Sequence, residues 1–191
     1  MGRVVVSEFA TLDGVFDDPG GSEGTAYGGW QIPLMGEDES AYKFEELKNA
    51  DALLLGRVTY EGFAKAWPTM EGSGEFGELM NSLPKHVATL SLSEFGWNNT
   101  SALEADIMRG VQRLKEQYQR DIVVMGSGQL VKTLLENGQV DELRLMTYPI
   151  MLGEGRRLLD GMSRKKLQFV GLQQFKNGTV LLTYSQTQPE V

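Results

Sequence analysis

Apolar runs alternate with amphipathic segments along most of this chain. Short runs rich in aliphatic and β-branched residues predict strands, because such side chains suit a pleated, buried surface. These runs are Val4–Phe9, Ala52–Leu55, Val87–Leu90, Ser101–Leu103, Ile122–Met125 and Leu143–Tyr148. Helical patterns lie between them, at residues 37–48, Thr59–Ala66 and Gln129–Glu136. Strands that alternate with helices are typical of an α/β domain with a mainly parallel sheet.

Two segments carry the sharpest local signals. The first is a helix that begins after Asp106, a natural N-cap, and whose apolar residues recur on one face: Ile107, Val111, Leu114 and Tyr118. The second is Asn177-Gly178, which separates the β-rich runs Leu167–Phe175 and Thr179–Ser185 and predicts an antiparallel hairpin. The glycine-rich segments at residues 18–29 and 70–77 predict mobile loops.

These elements predict one domain over residues 1–191. We expect a three-layer α/β/α fold with a mixed, mainly parallel sheet, closed by the antiparallel C-terminal hairpin. No apolar run approaches the roughly 18–20 residues that span a bilayer. The chain begins without a signal-peptide pattern. A cytoplasmic protein with no membrane partner is therefore expected.

The composition excludes several kinds of catalytic site and ligand. The chain has no cysteine, which excludes thiolate catalysis, and its single histidine, His86, leaves no multi-histidine metal site. Acidic residues outnumber basic ones by 26 to 18, and the net charge of −8 argues against nucleic acid as a partner. The sequence has no dense cluster of Asp and Glu residues of the kind that binds a hard metal ion. We therefore expect that a bound organic cofactor supplies the reactive group, and hydride transfer is a reaction of this kind.

Two apolar strands stop at glycine and turn at once into a helix. The first turn is Gly56-Arg57-x-Thr59, and the second is Gly126-Ser127-Gly128. Glycine lets the backbone approach a ligand, and the first N–H groups of a helix have no intrahelical partner, so such turns suit phosphate. Two of them suggest a dinucleotide. The alternatives are a tight turn without a ligand and a capped helix with a solvated arginine.

Three further residues are candidates for the substrate region. Asp13 follows the first strand. It is either a turn residue before Gly14 or a carboxylate that orients the substrate or relays a proton. Trp30 and Tyr60 are either core residues or flat surfaces on which a substrate ring stacks. The residues alone leave these alternatives open.

The ordered set of motifs resembles the dihydrofolate-reductase-like superfamily. The closest branch is that of the reductase domain of riboflavin biosynthesis, the RibD C-terminal domain. The likeness covers nearly the whole chain and lies in Ser7–Phe16, Leu54–Phe63, His86–Ser91, Ile122–Leu130 and Asp141–Leu159. It implies the fold of that superfamily, often in a homodimer. It also implies a reduced nicotinamide dinucleotide, usually NADPH, across the C-terminal ends of the strands.

The resemblance implies roles for individual residues. The phosphate-holding turn is matched by Gly56, Arg57 and Thr59. The strand end near the adenosine ribose is matched by Leu90 and Ser91. The turn over the pyrophosphate is matched by Gly126, Ser127, Gly128, Gln129 and Leu130. Backbone atoms of Phe9 and Ala10 are expected at the nicotinamide amide, and the loop from Asp13 to Trp30 is expected to cover the active site.

One departure affects the cofactor. Relatives often carry an arginine after the position of Ser91, where it helps to hold the 2′-phosphate of NADPH, but this chain continues with Leu92 and Ser93. NADH therefore stays an alternative to NADPH. The sequence predicts a stand-alone NAD(P)H-dependent reductase that acts on a small heterocyclic or conjugated substrate beside Asp13, Trp30 and Tyr60. The alternative is a non-catalytic nucleotide- or flavin-binding protein that kept the fold.

Overall fold

The computed structural model describes residues 1–186, which form a sheet with helices on both faces. The strands are β1 (Arg3–Thr11), β2 (Ala50–Gly56), β3 (Lys85–Ala88), β4 (Thr100–Ala102), β5 (Asp121–Met125), β6 (Glu142–Tyr148), β7 (Leu167–Gln174) and β8 (Val180–Gln186). The helices are α1 (Glu37–Lys48), α2 (Arg57–Ala66), α3 (Gly74–Ser82), α4 (Ile107–Gln117) and α5 (Gly128–Glu136). Short 3-10 turns occupy Ile32–Leu34 and Trp67–Thr69.

The sheet has the strand order β4-β3-β2-β5-β1-β6-β8-β7. All pairs from β4 to β6 are parallel, whereas β8 runs antiparallel to both β6 and β7. This arrangement confirms the predicted three-layer fold with its antiparallel C-terminal hairpin. The carboxyl ends of the parallel strands meet at one edge, where ligands of open α/β sheets bind.

The middle strands are buried on both faces, which explains their unbroken apolar runs. Successive residues of a strand point to opposite faces, so Leu53 and Val123 pack with Tyr60 and Met80 of α2 and α3. Leu54 and Val124, their neighbours, pack on the other face with side chains of α4 and α5. The sheet is therefore the middle of the three layers and carries the core on both sides.

Two predicted boundaries are wrong. The strand predicted at Val87–Leu90 begins at Lys85 and ends at Ala88, and Leu90 is exposed. Lys85 begins the strand as a buried residue, and its ammonium donates to the carbonyls of Asn81, Leu83 and Asn98. The predicted loop at residues 70–77 is helical from Gly74, because Met80 of the same helix is anchored in the core.

A buried network of charged side chains joins α1 to the sheet. Lys43 of α1 donates to Ser7 Oγ on β1 at 2.7 Å and forms an ion pair with Glu46. Arg144 on β6 donates to Glu46 at 3.1 Å and continues to Asp121 at 3.2 Å. Burial alone would raise the pKa of Glu46, but Lys43 and Arg144 more than offset it and lower the pKa below its ordinary value. Glu46 is therefore an ionised centre between two cations.

The network predicts that Glu46→Gln destabilises the fold by about 3 kcal/mol, because it leaves Lys43 as a buried charge without its carboxylate. Chemical denaturation measures the change in the free energy of unfolding. Glu45→Gln is the matched control, since Glu45 is exposed on the same helix and pairs with Lys48 only at 3.6 Å. The control should cost less than about 1 kcal/mol. Equal, small losses for both variants would contradict the role of the network.

Candidate functional site

A cavity of about 540 Å³ lies at the edge of the sheet where the parallel strands end. Its walls come from segments that follow β1, β2, β3, β4, β5 and β6. The lining residues after β2 and β3 are Gly56, Arg57, Val58, Thr59, Ala88, Thr89, Leu90 and Ser91. Those after β4 and β5 are Glu104, Ala105, Ile107, Ser127, Gly128, Gln129, Leu130 and Thr133, and the remainder are Phe16, Glu23 and Arg156.

The two glycine turns are joined by one hydroxyl. Ser127 Oγ accepts the backbone N–H of Gly56 at 2.7 Å and donates to Thr59 Oγ1 at 2.8 Å. The start of α2 and the start of α5 are thereby held against each other. Both helices direct unpaired N–H groups and the positive ends of their dipoles toward the region where they meet, which favours a bound anion.

The backbone of the second turn adopts a left-handed conformation. Gly126 has φ of +60° and Ser127 has φ of +69°. A Cβ atom at Gly126 would lie 3.0 Å from the side chain of Thr59, and one at Gly128 would lie 2.3 Å from the ring of Phe16. Glycine at these positions keeps the turn open and lets Phe16 close over it. Ser127 is the non-glycine residue that carries the strain of this conformation.

Two arginines in the cavity wall supply positive charge. Arg57 pairs with Glu61 at 2.9 Å on α2. Arg156 Nη2 lies 2.6 Å from Asp17 Oδ1 and 3.1 Å from Glu23 Oε2. The Arg57–Glu61 pair is partly exposed, and such pairs contribute only about 1 kcal/mol or less, so Arg57 can exchange Glu61 for a ligand anion at small cost. Arg156 can release the exposed Glu23, but its pair with the buried Asp17 is costly to break.

Most of the residues predicted to bind a cofactor lie together in this cavity. Its lining includes Gly56, Arg57, Thr59, Leu90, Ser91, Ser127, Gly128, Gln129 and Leu130. Gly126 lies behind the lining and shapes the turn. Phe9 packs edge-to-face on Tyr148 at 5.8 Å and Ala10 is buried, so neither side chain lines the cavity. The prediction for Phe9 and Ala10 concerns their backbone atoms and stays a prediction.

Asp13 is held as the anchor of a loop. Its carboxylate accepts hydrogen bonds from the Thr11 hydroxyl at 2.6 Å, from Gly153 N–H at 2.9 Å and from Leu152 N–H at 3.2 Å. The Thr11 hydroxyl and the Gly153 N–H lower the pKa of Asp13 to about 2. The carboxylate is therefore ionised at neutral pH. Its geometry supports the turn alternative, and the predicted role beside a substrate stays a prediction.

Trp30 and Tyr60 are core residues. Trp30 Nε1 donates to the Asp17 carbonyl at 2.8 Å, and its ring packs on Tyr148. The Tyr60 hydroxyl accepts Trp97 N–H at 3.3 Å, and both Trp30 and Tyr60 are at most 5% exposed. Neither ring lines the cavity, so the predicted stacking on a substrate has no support from their positions.

Sequence reasoning missed Glu8. This residue of β1 is buried, and its Oε1 atom has no hydrogen-bond partner among residues 1–186. Burial raises the pKa of Glu8 to about 8; Glu46 adds to the rise, while Lys43 and the Gly126 N–H oppose it. Glu8 is therefore protonated at neutral pH beside the glycine turn. The sequence did contain a signal for this residue, because Glu8 is a carboxyl group inside the apolar run Val4–Phe9.

Comparisons with known proteins agree with this geometry. Residues 3–181 match the family model described as the RibD C-terminal domain. The uncharacterized protein YyaP of Bacillus subtilis (strain 168) is 29% identical over 186 residues, which cover 95% of this chain and 94% of that protein. The family match thus extends over almost the whole described structure.

Solved structures share the fold. A protein of Shewanella sp. PV-4, named for riboflavin biosynthesis, has a TM-score of 0.75 at 16% identity and covers 97% of this chain and 99% of its own. A dihydrofolate reductase from Enterococcus faecalis, complexed with NADP(H), has a TM-score of 0.62 at 16% identity, with 97% of each chain covered. At these identities the likeness shows the fold alone.

Residues 1–186 contain neither a membrane span nor a metal cluster. No helix in this range is both long and apolar enough to cross a bilayer. In the same range, no three or more His, Cys, Asp or Glu side chains are grouped so that they could hold a metal ion.

The shared hydroxyl predicts different costs for two variants of Ser127. Ser127→Ala removes both hydrogen bonds and should destabilise the fold by about 1–2 kcal/mol. Ser127→Gly removes the same hydroxyl but relieves the left-handed backbone, so it should be about 1 kcal/mol more stable than the alanine variant. Urea denaturation of the pair isolates the strain. If the glycine variant is no more stable than the alanine variant, the left-handed backbone at Ser127 is not strained.

The buried acid predicts an effect of pH on stability. The folded protein binds the Glu8 proton more tightly than the unfolded chain, so this contribution to stability is lost as pH rises from 4.5 through about 8. Glu8→Gln should therefore match the parent near pH 5 and melt at a higher temperature near pH 9. Glu45→Gln, an exposed control, should follow the parent at both values. A Glu8→Gln variant less stable near pH 9 would refute the assignment.

Proposed function

This chain belongs to the RibD C-terminal domain family, and we propose that it is a reductase that takes hydride from NADPH or NADH. The acceptor is a small heterocyclic or conjugated molecule. The observation that carries the proposal is the joined pair of glycine turns, which brings two helix N-termini and two arginines to one cavity. A cavity of about 540 Å³ lies in the range of cofactor sites.

The proposed cofactor fits the residues that line the cavity. Backbone N–H groups at Ser127 and Gly128 suit the pyrophosphate. The ring of Phe16 packs against Gly128 where a Cβ would lie. Arg57 and Arg156 add fixed cations on two walls. When bound, the reduced nicotinamide supplies the hydride. The chain itself binds the phosphates, orients the ring and excludes water.

The loop after β1 supports the position of the acceptor. Phe16 and Glu23 of this loop line the cavity, and Asp13 ties its base to the loop after β6. We propose that the nicotinamide lies beside the backbone of Phe9 and Ala10, under this loop. The acceptor then lies between the loop and the end of β1, where the loop shields the reaction from water.

The proposed partner set is a small molecule and a second copy of the chain. The edge strand β7 supports the homodimer, because Phe169, Val170 and Leu172 are each more than half exposed. Exposed apolar side chains on an unpaired edge strand favour association.

The second candidate function is nucleotide binding without turnover. The Asp13 carboxylate favours it, because hydrogen bonds from Thr11, Leu152 and Gly153 already occupy that carboxylate. Such a protein would keep the cavity and bind a nucleotide or flavin as a sensor. Binding and turnover therefore have to be measured separately.

Titration with NADPH and NADH tests the proposal, followed by tryptophan fluorescence and melting temperature. Ligand at about 100 times its Kd should stabilise the fold by roughly 2.7 kcal/mol. Arg57→Ala and Arg156→Ala should each weaken binding by about tenfold, as expected for a lost charged hydrogen bond. Arg164→Ala, an exposed arginine outside the cavity lining, is the matched control and should bind as the parent does.

Turnover is then measured as cofactor oxidation with pterins, quinones and pyrimidine ribosyl compounds. Oxidation with a member of this panel supports the reductase. Binding without oxidation across the panel favours the sensor. No response to either dinucleotide at millimolar concentration would refute both.

A further inference from the structure

The loop after β1 brings a carboxylate to the wall of the cavity. Glu23 lines the cavity, and its Oε2 atom accepts a hydrogen bond at 3.1 Å from Arg156 Nη2, which belongs to the same wall. The pair joins the loop after β1 to the loop after β6. The side chains of Arg156 and Glu23 are 66% and 42% exposed, so water and small ligands can reach both groups.

Arg156 has a second carboxylate partner, which differs from the first in its burial. The Asp17 side chain is only 4% exposed, and its Oδ1 atom lies 2.6 Å from the same Nη2 atom. Its Oδ2 atom accepts the backbone N–H of Arg156 at 2.8 Å and the hydroxyl of Tyr27 at 3.2 Å. Because Asp17 is buried and holds both the backbone and the side chain of Arg156, it keeps the arginine in place when Glu23 leaves.

Glu23 is carried by a turn that is held together by its own hydrogen bonds. The Asp18 carboxylate accepts the N–H groups of Glu23 at 2.8 Å and of Thr25 at 3.1 Å, and also the Thr25 hydroxyl at 3.0 Å. The ends of the turn meet at Gly21 and Gly29, where a Cβ on Gly21 would lie 3.2 Å from the Gly29 nitrogen. The shape of the turn therefore does not depend on the contact with the guanidinium, and Glu23 can leave it without unfolding the loop.

We propose that Glu23 is an internal competitor, which occupies on Arg156 the position that a phosphate group of the ligand takes. The proposal rests on the proposed function and extends it, because it names the residue that controls access to one of the two cavity arginines. Carboxylate and phosphate oxygens accept the same hydrogen bonds from a guanidinium, so the two groups compete for the N–H that Nη2 donates to Glu23.

The competition lowers the apparent affinity of the parent for a phosphate ligand. The ligand binds the fraction of molecules in which Glu23 has released Arg156, so the apparent Kd exceeds the intrinsic Kd by the inverse of that fraction. Exposed ion pairs favour the closed state by a factor of about five or less. Removal of the Glu23 charge should therefore tighten binding about two- to sixfold.

The test compares the parent, Glu23→Gln, Arg156→Ala and the double variant by isothermal titration calorimetry. The probes are inorganic pyrophosphate, NADPH and NADH. Glu23→Gln should lower the Kd about two- to sixfold when Arg156 is present, and by less than about 1.5-fold in the Arg156→Ala background. An equal gain in both backgrounds would mean that Glu23 acts on the ligand directly and not through Arg156, which would overturn the proposal.

Glu154→Gln is the matched control for the loss of one negative charge. Glu154 is exposed, lies two residues before Arg156 in the same loop and is outside the cavity lining. Its variant should keep the Kd of the parent to within about 1.5-fold, because the charge of an exposed group is screened by salt. A gain as large as that of Glu23→Gln would assign the effect to net charge and contradict the competition.

Failure of this proposal can be told apart from failure of the proposed function. Pyrophosphate has no nucleoside, so its binding tests the phosphate contact alone. If pyrophosphate shows the expected pattern and neither dinucleotide binds, the proposed function is refuted and the role of Glu23 is retained. If a dinucleotide binds and Glu23→Gln leaves its Kd unchanged or raises it, only the role of Glu23 is refuted. Binding of none of the three probes to any of the four proteins would refute both.

Discussion

The site depends on the hydroxyl of Ser127, which bonds two segments far apart in the sequence. Because β2 and β5 are adjacent parallel strands, the turns that follow them emerge side by side. Adjacency alone does not make them one surface. The hydroxyl does so by accepting Gly56 N–H and donating to Thr59, at the expense of a left-handed backbone at Ser127. Strained residues of this kind cluster at ligand sites, where the surrounding structure holds them.

Local sequence patterns were sufficient to predict the elements that depend on interactions between residues close together in the chain. The Asp106 cap of α4 is present, with its side chain accepting Arg109 N–H, and the Asn177-Gly178 turn joins β7 to β8. The glycine turns were visible because a strand that stops at glycine before a helix is a local signal. The predicted bounds of β3 were less accurate, because the buried Lys85 ammonium is held by two carbonyls just before it in the chain and by the carbonyl of Asn98 from a more distant segment.

The direction of a side chain is harder to predict than the element that carries it. The sequence around Trp30 and Tyr60 is compatible with a core position and with a ligand-binding position for each aromatic ring. Only the packing of Trp30 on Tyr148 and of Tyr60 on Trp97 in the folded chain identifies both as core residues. Glu23, Glu104 and Arg156 gave no sequence signal as a group, because the loops that carry them meet only in the folded chain. The candidate site was therefore predictable at its backbone turns but not at its charged walls.

The charges explain how an acidic chain can hold an anionic cofactor. The net charge of −8 opposes the approach of a phosphate, but two helix N-termini and two arginines act locally at the cavity. Arg57 is paired with the partly exposed Glu61, and Arg156 is paired with the exposed Glu23 and the buried Asp17, before any ligand arrives. Anion binding at Arg57 is then an exchange of one partner for another.

The two perturbed carboxyl groups of β1 and its loop constrain the chemistry of the proposed reaction. Transfer of hydride to a C=N or C=O group requires a proton as well, and a donor has to hold one near neutral pH. Asp13, whose pKa is lowered to about 2, cannot supply it. Glu8, whose pKa burial raises to about 8, holds a proton but does not line the cavity. Neither of these two carboxyl groups is therefore placed to donate that proton.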